Sequence, residues 1–255
     1  MSWQDRFSLR GRKALVTGAS KGIGAEICAV FADAGADIVA LGRDPADLAA
    51  TAGKVRALGR RCLTLTAEMA SPTEPVSACE QALREWGTID ILVNSAGIAH
   101  VAPAVDFRAE DWDRMMAVNL RAPFLTARTL APAMIAQRWG KIINISSQTG
   151  VIALDDHAAY AASKGGLNAL TKSLCAEWAR HNVQVNAICP TVVMTPMGRT
   201  VWGKPEKGDP FRNATPARRF AEPVEVADAA LYLACDASAM VNGALLMVEG
   251  GFTSV

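Results

Sequence analysis

Short apolar runs alternate with longer segments of helical periodicity along the whole chain, and this alternation limits its possible folds more than any other feature. The candidate strands are residues 13–17, 37–41, 62–66, 90–94, 141–145, 184–188 and 244–248. Several are apolar throughout rather than at every second residue, as strands are when helices cover both faces of a sheet. The pattern predicts an α/β fold with a doubly wound parallel sheet of about seven strands, flanked by helices.

The segments between these runs are candidate helices, at residues 23–34, 45–58, 72–86, 110–138, 158–181 and 224–234. No linker, repeat or low-complexity stretch separates them, so residues 1–255 are expected to form a single domain. Residues 195–221 mix glycine, proline and charged residues without a clear period. Because a long irregular connection inside a compact domain is more often functional than passive, we expect a flap over a ligand site there.

The composition restricts the class of protein and its partners. Hydrophobic residues make up 51% of the chain, and 26 basic residues nearly balance 25 acidic ones. Such a chain can bury a large core and has no overall attraction to nucleic acid. No apolar run is long enough for a membrane helix, and the N-terminal segment is too charged for the apolar region of a signal peptide. We therefore expect a cytoplasmic protein without nucleic-acid or membrane partners.

The cysteines and histidines do not have the spacing of a metal site. The six cysteines form no CxxC pair, and the three histidines are scattered. We expect reduced thiols and no metal in the chemistry.

A glycine-rich turn, TGASKGIG at residues 17–24, follows the first candidate strand and precedes an apolar helix. In such a unit the pyrophosphate of a dinucleotide meets the N-terminus of the helix, and glycines let the phosphates approach closely. The position between strand and helix favours cofactor binding over a purely structural turn. The candidate cofactor residues of the turn are Gly18, Ser20, Lys21, Gly22, Ile23 and Gly24.

The spacing of these glycines differs from GxGxxG and has the form TGxxxGIG. In this the chain resembles the short-chain dehydrogenase/reductase family, and the resemblance extends to the closing VEGGF at residues 248–252. It implies a single-domain Rossmann fold and an NAD(P)-dependent enzyme that acts on CH–OH donors.

The end of the second candidate strand bears on the choice of cofactor. An acid there favours NAD, but Gly42 stands at that position and Arg43 follows it. Arg43 and Lys21 can bind a 2′-phosphate through charge-assisted hydrogen bonds, so NADP(H) is the preferred cofactor. Alternatively, both cations are ordinary surface charges and Asp44 accepts the ribose hydroxyl, which keeps NAD(H) open.

The resemblance assigns further cofactor contacts to Glu68, Met69, Asn94, Ala96, Gly97, Pro190, Val193 and Thr195. Glu68 and Met69 resemble an acid and an aliphatic residue that bracket the adenine. NSAG at residues 94–97 resembles the NNAG segment of the family, and NAICPT at 186–191 resembles its NxxxPG segment beside the nicotinamide. Thr195 is the residue expected to bond the nicotinamide carboxamide.

Tyr160 and Lys164 form a YxxxK motif, which places a phenol and an ammonium on one helix face. An unperturbed tyrosine is a poor base at neutral pH, and a neighbouring cation is expected to lower its pKa. Alone, the motif also fits an ordinary pair on a helix surface. In the family, both residues contact the cofactor as well.

Two further residues, both N-terminal to Tyr160, complete the expected catalytic set. Ser147 lies thirteen residues before Tyr160, as in the family, and its hydroxyl can hold and stabilise the substrate oxygen. Asn119 resembles the fourth catalytic residue, which holds a water for the proton relay by kinking or hydrating its helix.

The candidate substrate residues are Ser147, Gln148, His157, Tyr160, Thr191 and Trp202. Around them the chain resembles dicarbonyl/L-xylulose reductases, and residues 56–93 resemble gluconate dehydrogenases. Gln148 and His157 can bind hydroxyl groups, and Trp202 can cover the apolar face of a small substrate. Alternatively, the local backbone satisfies His157, and Thr191 is a tolerated loop substitution. A small sugar, polyol or dicarbonyl is the expected substrate.

Two other functions remain open from the sequence. A 3-oxoacyl-ACP reductase would share the catalytic residues and need a basic patch, which Arg212, Arg218 and Arg219 could supply. A non-catalytic NADP(H)-binding sensor or scaffold would bind cofactor without turnover. The resemblance also implies a homotetramer.

Overall fold

The computed structural model describes residues 2–255, apart from the side chain of Met197. Its seven parallel strands lie in the order β3-β2-β1-β4-β5-β6-β7. They are β1 Lys13–Thr17, β2 Asp37–Gly42, β3 Cys62–Thr66, β4 Ile91–Asn94, β5 Gly140–Ile145, β6 Val183–Pro190 and β7 Leu245–Val248. The strand order reverses between β1 and β4, so a crevice opens at the carboxyl ends of these two strands. The parallel, doubly wound sheet of the sequence analysis is confirmed.

Helices flank the sheet: α1 Trp3–Phe7, α2 Gly22–Asp33, α3 Pro45–Ala57, α4 Glu74–Trp86, α5 Ala109–Met116, α6 Ala122–Gln137, α7 Ala158–Trp178, α8 Pro196–Trp202, α9 Pro205–Ala214 and α10 Pro223–Ala234. Successive residues of a strand point to opposite faces. Val16 packs with Ile27 and Val226 of α2 and α10, whereas Leu15 packs in the second core with Leu130 of α6. Both faces of the sheet are buried, which explains the continuous apolar runs.

The helix expected at residues 110–138 is not continuous. A π-turn at Ala117–Arg121 separates α5 from α6, and it contains Asn119. The helix expected to end at His181 stops at Trp178 and continues as a 3₁₀ turn, which ends where Asn182 adopts φ +58°. Such insertions and ends are set by tertiary contacts, which hydrophobic periodicity does not report.

The segment at residues 195–221 contains two helices, α8 and α9, where the sequence showed no clear period. Each has proline in its first turn, where the missing N–H costs nothing. The ring of Trp202 on α8 lies 5.1 Å from that of Phe211 on α9, and Phe211 stacks on Phe252 at 4.7 Å. This small aromatic cluster, rather than an amphipathic period, holds the two helices together.

Three features of residues 2–255 bear on partners and cofactors. No helix there has the length and apolarity to cross a membrane. No group of three or more His, Cys, Asp or Glu side chains there is placed to hold a metal ion. All six cysteines are free thiols.

Candidate active site

The glycine turn connects β1 to α2 at the crevice, and its backbone requires glycine. Gly18 and Gly22 have φ of +68° and +61°, a region that side-chain-bearing residues rarely adopt. A Cβ on Gly18 would also meet the Cα of Ala96 at 2.8 Å. Thr17 Oγ1 accepts hydrogen bonds from the backbone N–H groups of Ser95 and Ala96, both at 3.1 Å. The turn and the loop after β4 therefore form one close-packed cradle, and its glycines leave backbone open to close approach, which fits a dinucleotide pyrophosphate.

The flap begins directly against this cradle. A Cβ on Gly22 would lie 3.1 Å from Cγ2 of Thr195, so the methyl group of Thr195 faces the turn. The hydroxyl of Thr195 accepts a hydrogen bond from Gly198 N at 3.0 Å and caps α8. Val193 pairs with Ala221 across the flap and is buried in the core. Of the two predicted cofactor residues here, Thr195 therefore lies against the glycine turn, whereas the side chain of Val193 lies in the core.

The cations expected to bind a 2′-phosphate each have a carboxylate partner. Lys21 Nζ lies 3.1 Å from an oxygen of Asp47, and Arg43 lies 3.4 Å from Glu68 Oε2. The Asp44 carboxylate accepts hydrogen bonds from Ala46 N and Asp47 N and caps α3. Both hydrogen bonds go to Oδ1 of Asp44, so the helix cap already engages one oxygen of the alternative acceptor for the ribose.

Other predicted cofactor residues line the same edge of the sheet. Met69 is buried beside the end of β3. Ile23, in the first turn of α2, is partly buried and packs against the core. Gly97 has a closer relation to the catalytic residues, because a Cβ there would lie 3.5 Å from both Asn119 Oδ1 and Lys164 Nζ. Pro190 ends β6 and is buried.

The side chain of Asn94 lies in a buried polar network beneath the crevice. Its amide donates to Asn144 Oδ1 at 2.9 Å, and its oxygen accepts from Thr126 Oγ1 at 2.7 Å. Asn144 in turn donates to Thr171 Oγ1 at 2.9 Å. These bonds connect β4 and β5 to α6 and α7. The side chain of Asn94 therefore has a structural role. Sequence reasoning missed Asn144, although an asparagine within the apolar strand KIINIS was a signal.

Ser147, Tyr160 and Lys164 meet at the carboxyl end of β5. Ser147 follows the strand, and its hydroxyl accepts from Thr149 N at 3.1 Å and is hydrogen bonded with Tyr160. Lys164 lies one turn after Tyr160 on α7, with Nζ 5.8 Å from the centre of the phenol ring. The same ammonium donates to the Ile145 carbonyl at 2.8 Å. The order and spacing that suggested a catalytic set thus correspond to one cluster.

The expected lowering of the Tyr160 pKa by a neighbouring cation is wrong, because the pKa is raised. Burial raises the pKa of Tyr160, because it disfavours the phenolate, and the hydrogen bond with Ser147 only opposes this rise. Burial also lowers the pKa of Lys164 to about 8. The Lys164 ammonium is directed at a backbone carbonyl rather than at the phenol oxygen. Tyr160 is therefore a phenol at neutral pH, the form that donates a proton.

Asn119 links the π-turn to α7. Its Oδ1 accepts from Ile98 N, and its Nδ2 donates to the Ile98 carbonyl, both at 2.9 Å. The same Nδ2 donates to Ser163 Oγ at 3.1 Å, and Ser163 donates to the Tyr160 carbonyl at 2.8 Å. Sequence reasoning missed Ser163, although it stands inside the YxxxK motif. The distortion expected of the helix at Asn119 takes the form of the π-turn.

Two candidate substrate residues carry buried oxygens without partners. The Gln148 side chain follows Ser147, and Thr191 follows β6, so both stand at the carboxyl ends of neighbouring strands. Oε1 of Gln148 and Oγ1 of Thr191 are buried and have no hydrogen-bond partner within residues 2–255. A buried polar atom without a partner costs free energy, so such atoms point to a ligand.

The structure separates the other two candidate substrate residues. The ring of His157 lies 6.2 Å from that of Tyr160, edge to face, and its Nδ1 is hydrogen bonded with the Asp155 carbonyl. The expected local backbone contact therefore exists, and it engages Nδ1 of an imidazole ring that lies beside the Tyr160 ring. Trp202 instead packs against Phe211 and Phe220 inside the flap. Its ring is part of the aromatic cluster, which limits its freedom to cover a substrate.

A glycine-rich cradle at the switch point of a parallel sheet, together with a serine, tyrosine and lysine cluster, defines a Rossmann-fold oxidoreductase that uses NAD(P). Comparison with known proteins agrees with this class. The family model described as enoyl-(acyl carrier protein) reductase matches residues 18–253. The chain belongs to the short-chain dehydrogenase/reductase family.

Curated relatives match over nearly the whole chain. D-threitol dehydrogenase of Mycolicibacterium smegmatis is 44% identical, over 97% of this chain and 95% of the relative. NAD-dependent glycerol dehydrogenase of Listeria innocua is 39% identical, over 97% and 96%. L-xylulose reductase of Bos taurus is 40% identical, over 96% and 97%. These names support an oxidoreductase that interconverts alcohols and ketones.

A solved structure is similar in both fold and sequence. Gluconate 5-dehydrogenase of Burkholderia cenocepacia, in complex with NADP and tartrate, superposes with a TM-score of 0.95 at 39% identity and covers 100% of both chains. This chain is therefore an NAD(P)-dependent enzyme of the family, similar to dehydrogenases of polyols and sugar acids.

Proposed function

We propose that this protein is an NADP(H)-preferring oxidoreductase that interconverts a secondary alcohol and a ketone on a small sugar, polyol or dicarbonyl. One observation carries the substrate class: the oxygens of Gln148 and Thr191 are buried without partners within residues 2–255, after the carboxyl ends of β5 and β6, and Ser147 follows β5 at the same edge of the sheet. A substrate with several hydroxyl groups would satisfy both oxygens, whereas an apolar ketone would leave them unpaired. The relatives that act on threitol, glycerol, xylulose and gluconate support the same class.

The chemistry needs a hydride and a proton. The nicotinamide cofactor, when bound, supplies or accepts the hydride. In reduction, Ser147 holds the carbonyl oxygen, and the Tyr160 phenol donates its proton to that oxygen as the alkoxide forms. In oxidation, the phenolate of Tyr160 takes the proton from the alcohol. Lys164 Nζ and Asn119 Oδ1 both lie beside Gly97, each 3.5 Å from the point where a Cβ of residue 97 would stand.

The absence of an acid at the end of β2 and the presence of two nearby cations in the sequence support the cofactor preference. Gly42 leaves no carboxylate at the end of β2, Arg43 follows this strand, and Lys21 lies in the glycine turn after β1. The similar gluconate 5-dehydrogenase was solved with NADP, whereas the Listeria relative is NAD-dependent by name. NADP(H) is the first cofactor in this proposal, and NAD(H) is the second.

The structure weakens the carrier-protein alternative. Arg219 makes two hydrogen bonds to Glu225, at 2.6 and 2.7 Å, and Arg212 pairs with Asp209. Arg218 donates to the Asn213 carbonyl. Two of the three cations expected to attract an acidic partner are thus neutralised within the flap region, and Arg218 is held by backbone.

We extend the proposal to a homotetramer in the cytoplasm. The apolar residues Met116, Ala117, Leu120, Phe124 and Leu170, with the charged Asp113 and Arg121, line a surface pocket between the π-turn region and α7. The Phe124 side chain there is 39% exposed. An apolar face of this kind suits pairing of these helices with a second copy.

The proposal is tested by initial rates of NADPH and NADH oxidation with L-xylulose, diacetyl, 5-ketogluconate and an acetoacetyl thioester, and by NAD(P)+ reduction with threitol. NADPH-dependent turnover of a ketose or dicarbonyl supports it. Preference for the thioester would contradict the substrate class. Absence of turnover with intact cofactor binding would favour a sensor or scaffold.

A further inference from the structure

Glu68 joins two arginines at the edge of the cofactor cradle. Its Oε1 accepts a hydrogen bond from Ala70 N at 2.9 Å. Its Oε2 lies 3.4 Å from Arg43 and 3.7 Å from Arg114 on α5. Because a backbone N–H holds one oxygen, the carboxylate is fixed in place and the two guanidinium groups are drawn to it.

The carboxylate is ionised at neutral pH. The hydrogen bond from Ala70 N, followed by the charges of Arg43 and Arg114, lowers the pKa of Glu68 against the opposing effect of burial. Arg43 is well exposed, with 60% of its side-chain surface accessible, and Glu68 is its ion-pair partner among the described residues. A phosphate that binds Arg43 must therefore either displace the Glu68 carboxylate or share the Arg43 guanidinium with it.

We propose that Glu68 is a specificity-determining residue that reduces the selectivity for a 2′-phosphorylated cofactor by competing with the phosphate for Arg43. This inference rests on the proposed role of Arg43 as the residue that binds the 2′-phosphate. A cation already paired with a fixed carboxylate gains less from a phosphate than a free one, and a like charge beside a phosphate repels it. The enzyme consequently discriminates weakly between NADP(H) and NAD(H), although glycine rather than an acid ends β2.

The test measures binding of fragments that differ only in the 2′-phosphate, independently of turnover. Calorimetry gives the dissociation constants of adenosine 2′,5′-bisphosphate and AMP for the full chain and for Glu68→Gln. Glutamine keeps an oxygen for Ala70 N but carries no charge. We expect the ratio of the two constants to shift by about three- to fivefold in favour of the bisphosphate, the size typical of one exposed ion pair.

Two further variants show whether Glu68 acts through Arg43. Glu74→Gln removes the carboxylate at the first residue of α4 and keeps an oxygen for the hydrogen bond from Glu68 N, which is 2.8 Å long in the parent chain. It is expected to change the ratio by less than twofold. In an Arg43→Ala background, Glu68→Gln is expected to lose its effect, as a double-mutant cycle requires of two coupled residues.

The outcomes separate this inference from the proposed function. An unchanged ratio in Glu68→Gln, or an equal shift in Glu74→Gln, would overturn the role of Glu68 even if the parent chain prefers NADP(H). An effect that persists without Arg43 would also overturn the competition. If the parent chain prefers NAD(H) but Glu68→Gln shifts the ratio as expected, the cofactor preference fails and the role of Glu68 stands.

Discussion

Ser20 and Gly42 touch across the carboxyl ends of β1 and β2, so closely that a Cβ built on Gly42 would overlap the hydroxyl oxygen of Ser20. Gly42 is buried, and the methyl group of Leu48 lies 3.3 Å from the same point. The hydroxyl of Ser20 in the glycine turn therefore occupies the space that a side chain at residue 42, the last residue of β2, would need. An acid at residue 42, the choice that favours NAD, requires Ser20 to move first.

This contact predicts how cofactor choice can be changed. Gly42→Asp alone is expected to weaken binding of both NAD+ and NADP+, because the new side chain displaces Ser20. The double variant Ser20→Ala/Gly42→Asp removes the overlap and places a carboxylate beside the 2′-phosphate. Its ratio of dissociation constants should shift toward NAD+ by at least about fivefold, since two like charges about 4 Å apart repel by about 1 kcal/mol even in water. Ser20→Ala is the control, and an unchanged ratio in the double variant would contradict the geometry.

The raised pKa of Tyr160 predicts different pH profiles for the two directions. Burial favours the phenol, so the phenolate that oxidation needs forms only as pH rises. The rate of alcohol oxidation should increase from pH 7 to 9, whereas ketone reduction should not. Tyr160→Phe should lose about 10³-fold in both directions and still bind cofactor, as measured by steady-state rates and fluorescence titration. A flat oxidation profile would count against Tyr160 as the base.

Ser163 is predicted to act as a positioning residue through its bonds to Asn119 and the Tyr160 carbonyl. Ser163→Ala should lower kcat about tenfold with little change in KM, because a misplaced phenol slows proton transfer more than binding. It should also alter the pH profile of oxidation. The matched control is Ser173→Ala on the same helix, whose hydroxyl bonds the Ala169 carbonyl at 3.1 Å. Equal effects of both variants would indicate a merely structural role.

Thr191 is predicted to trade stability for substrate binding. Because its buried hydroxyl has no partner within residues 2–255, Thr191→Val should leave unfolding free energy unchanged or raise it by about 1–2 kcal/mol. The same variant should raise KM for a polyol severalfold. Thr171→Val is the contrast, because Thr171 accepts from Asn144 and donates to the Leu167 carbonyl and should lose stability. Denaturant unfolding and KM measurements decide; a loss of stability in Thr191→Val would contradict this account.

Lys141 is predicted to make stability depend on pH. It is buried at the start of β5, where its ammonium donates to Ser238 Oγ at 3.2 Å, and burial lowers its pKa to about 8 from a value of 10.5. The cost of burying the charge is present in full below pH 8. It is relieved between pH 8 and 10.5, where the folded chain binds fewer protons than the unfolded chain.

Lys141→Met removes this cost. It should raise the unfolding free energy at pH 7 by about 1–3 kcal/mol, and the advantage over the parent chain should shrink as pH approaches 10. Denaturant melts of both chains at several pH values measure the difference and cancel the titration of other groups. An advantage that grows with pH would refute the assignment.

The strands and the order of the candidate catalytic residues were predictable from the sequence. Strands covered on both faces are apolar throughout, and Leu15 and Val16 illustrate this by packing into opposite cores. The glycine turn was predictable because only glycine tolerates its backbone and close contacts. These features depend on residues near one another in the chain or on period alone.

Tertiary structure alone decided the state of several site residues. Whether Arg43 is free depends on Glu68, which is 25 residues away, and the side chain of Asn94 is directed by Asn144, 50 residues away. The helical flap depends on Phe252 packing against Phe211. The sequence by itself determined the fold and the chemistry that the chain carries. Which side chains remain open to a ligand was decided by the partners that distant segments bring to them, because a polar group's availability depends on what already bonds it.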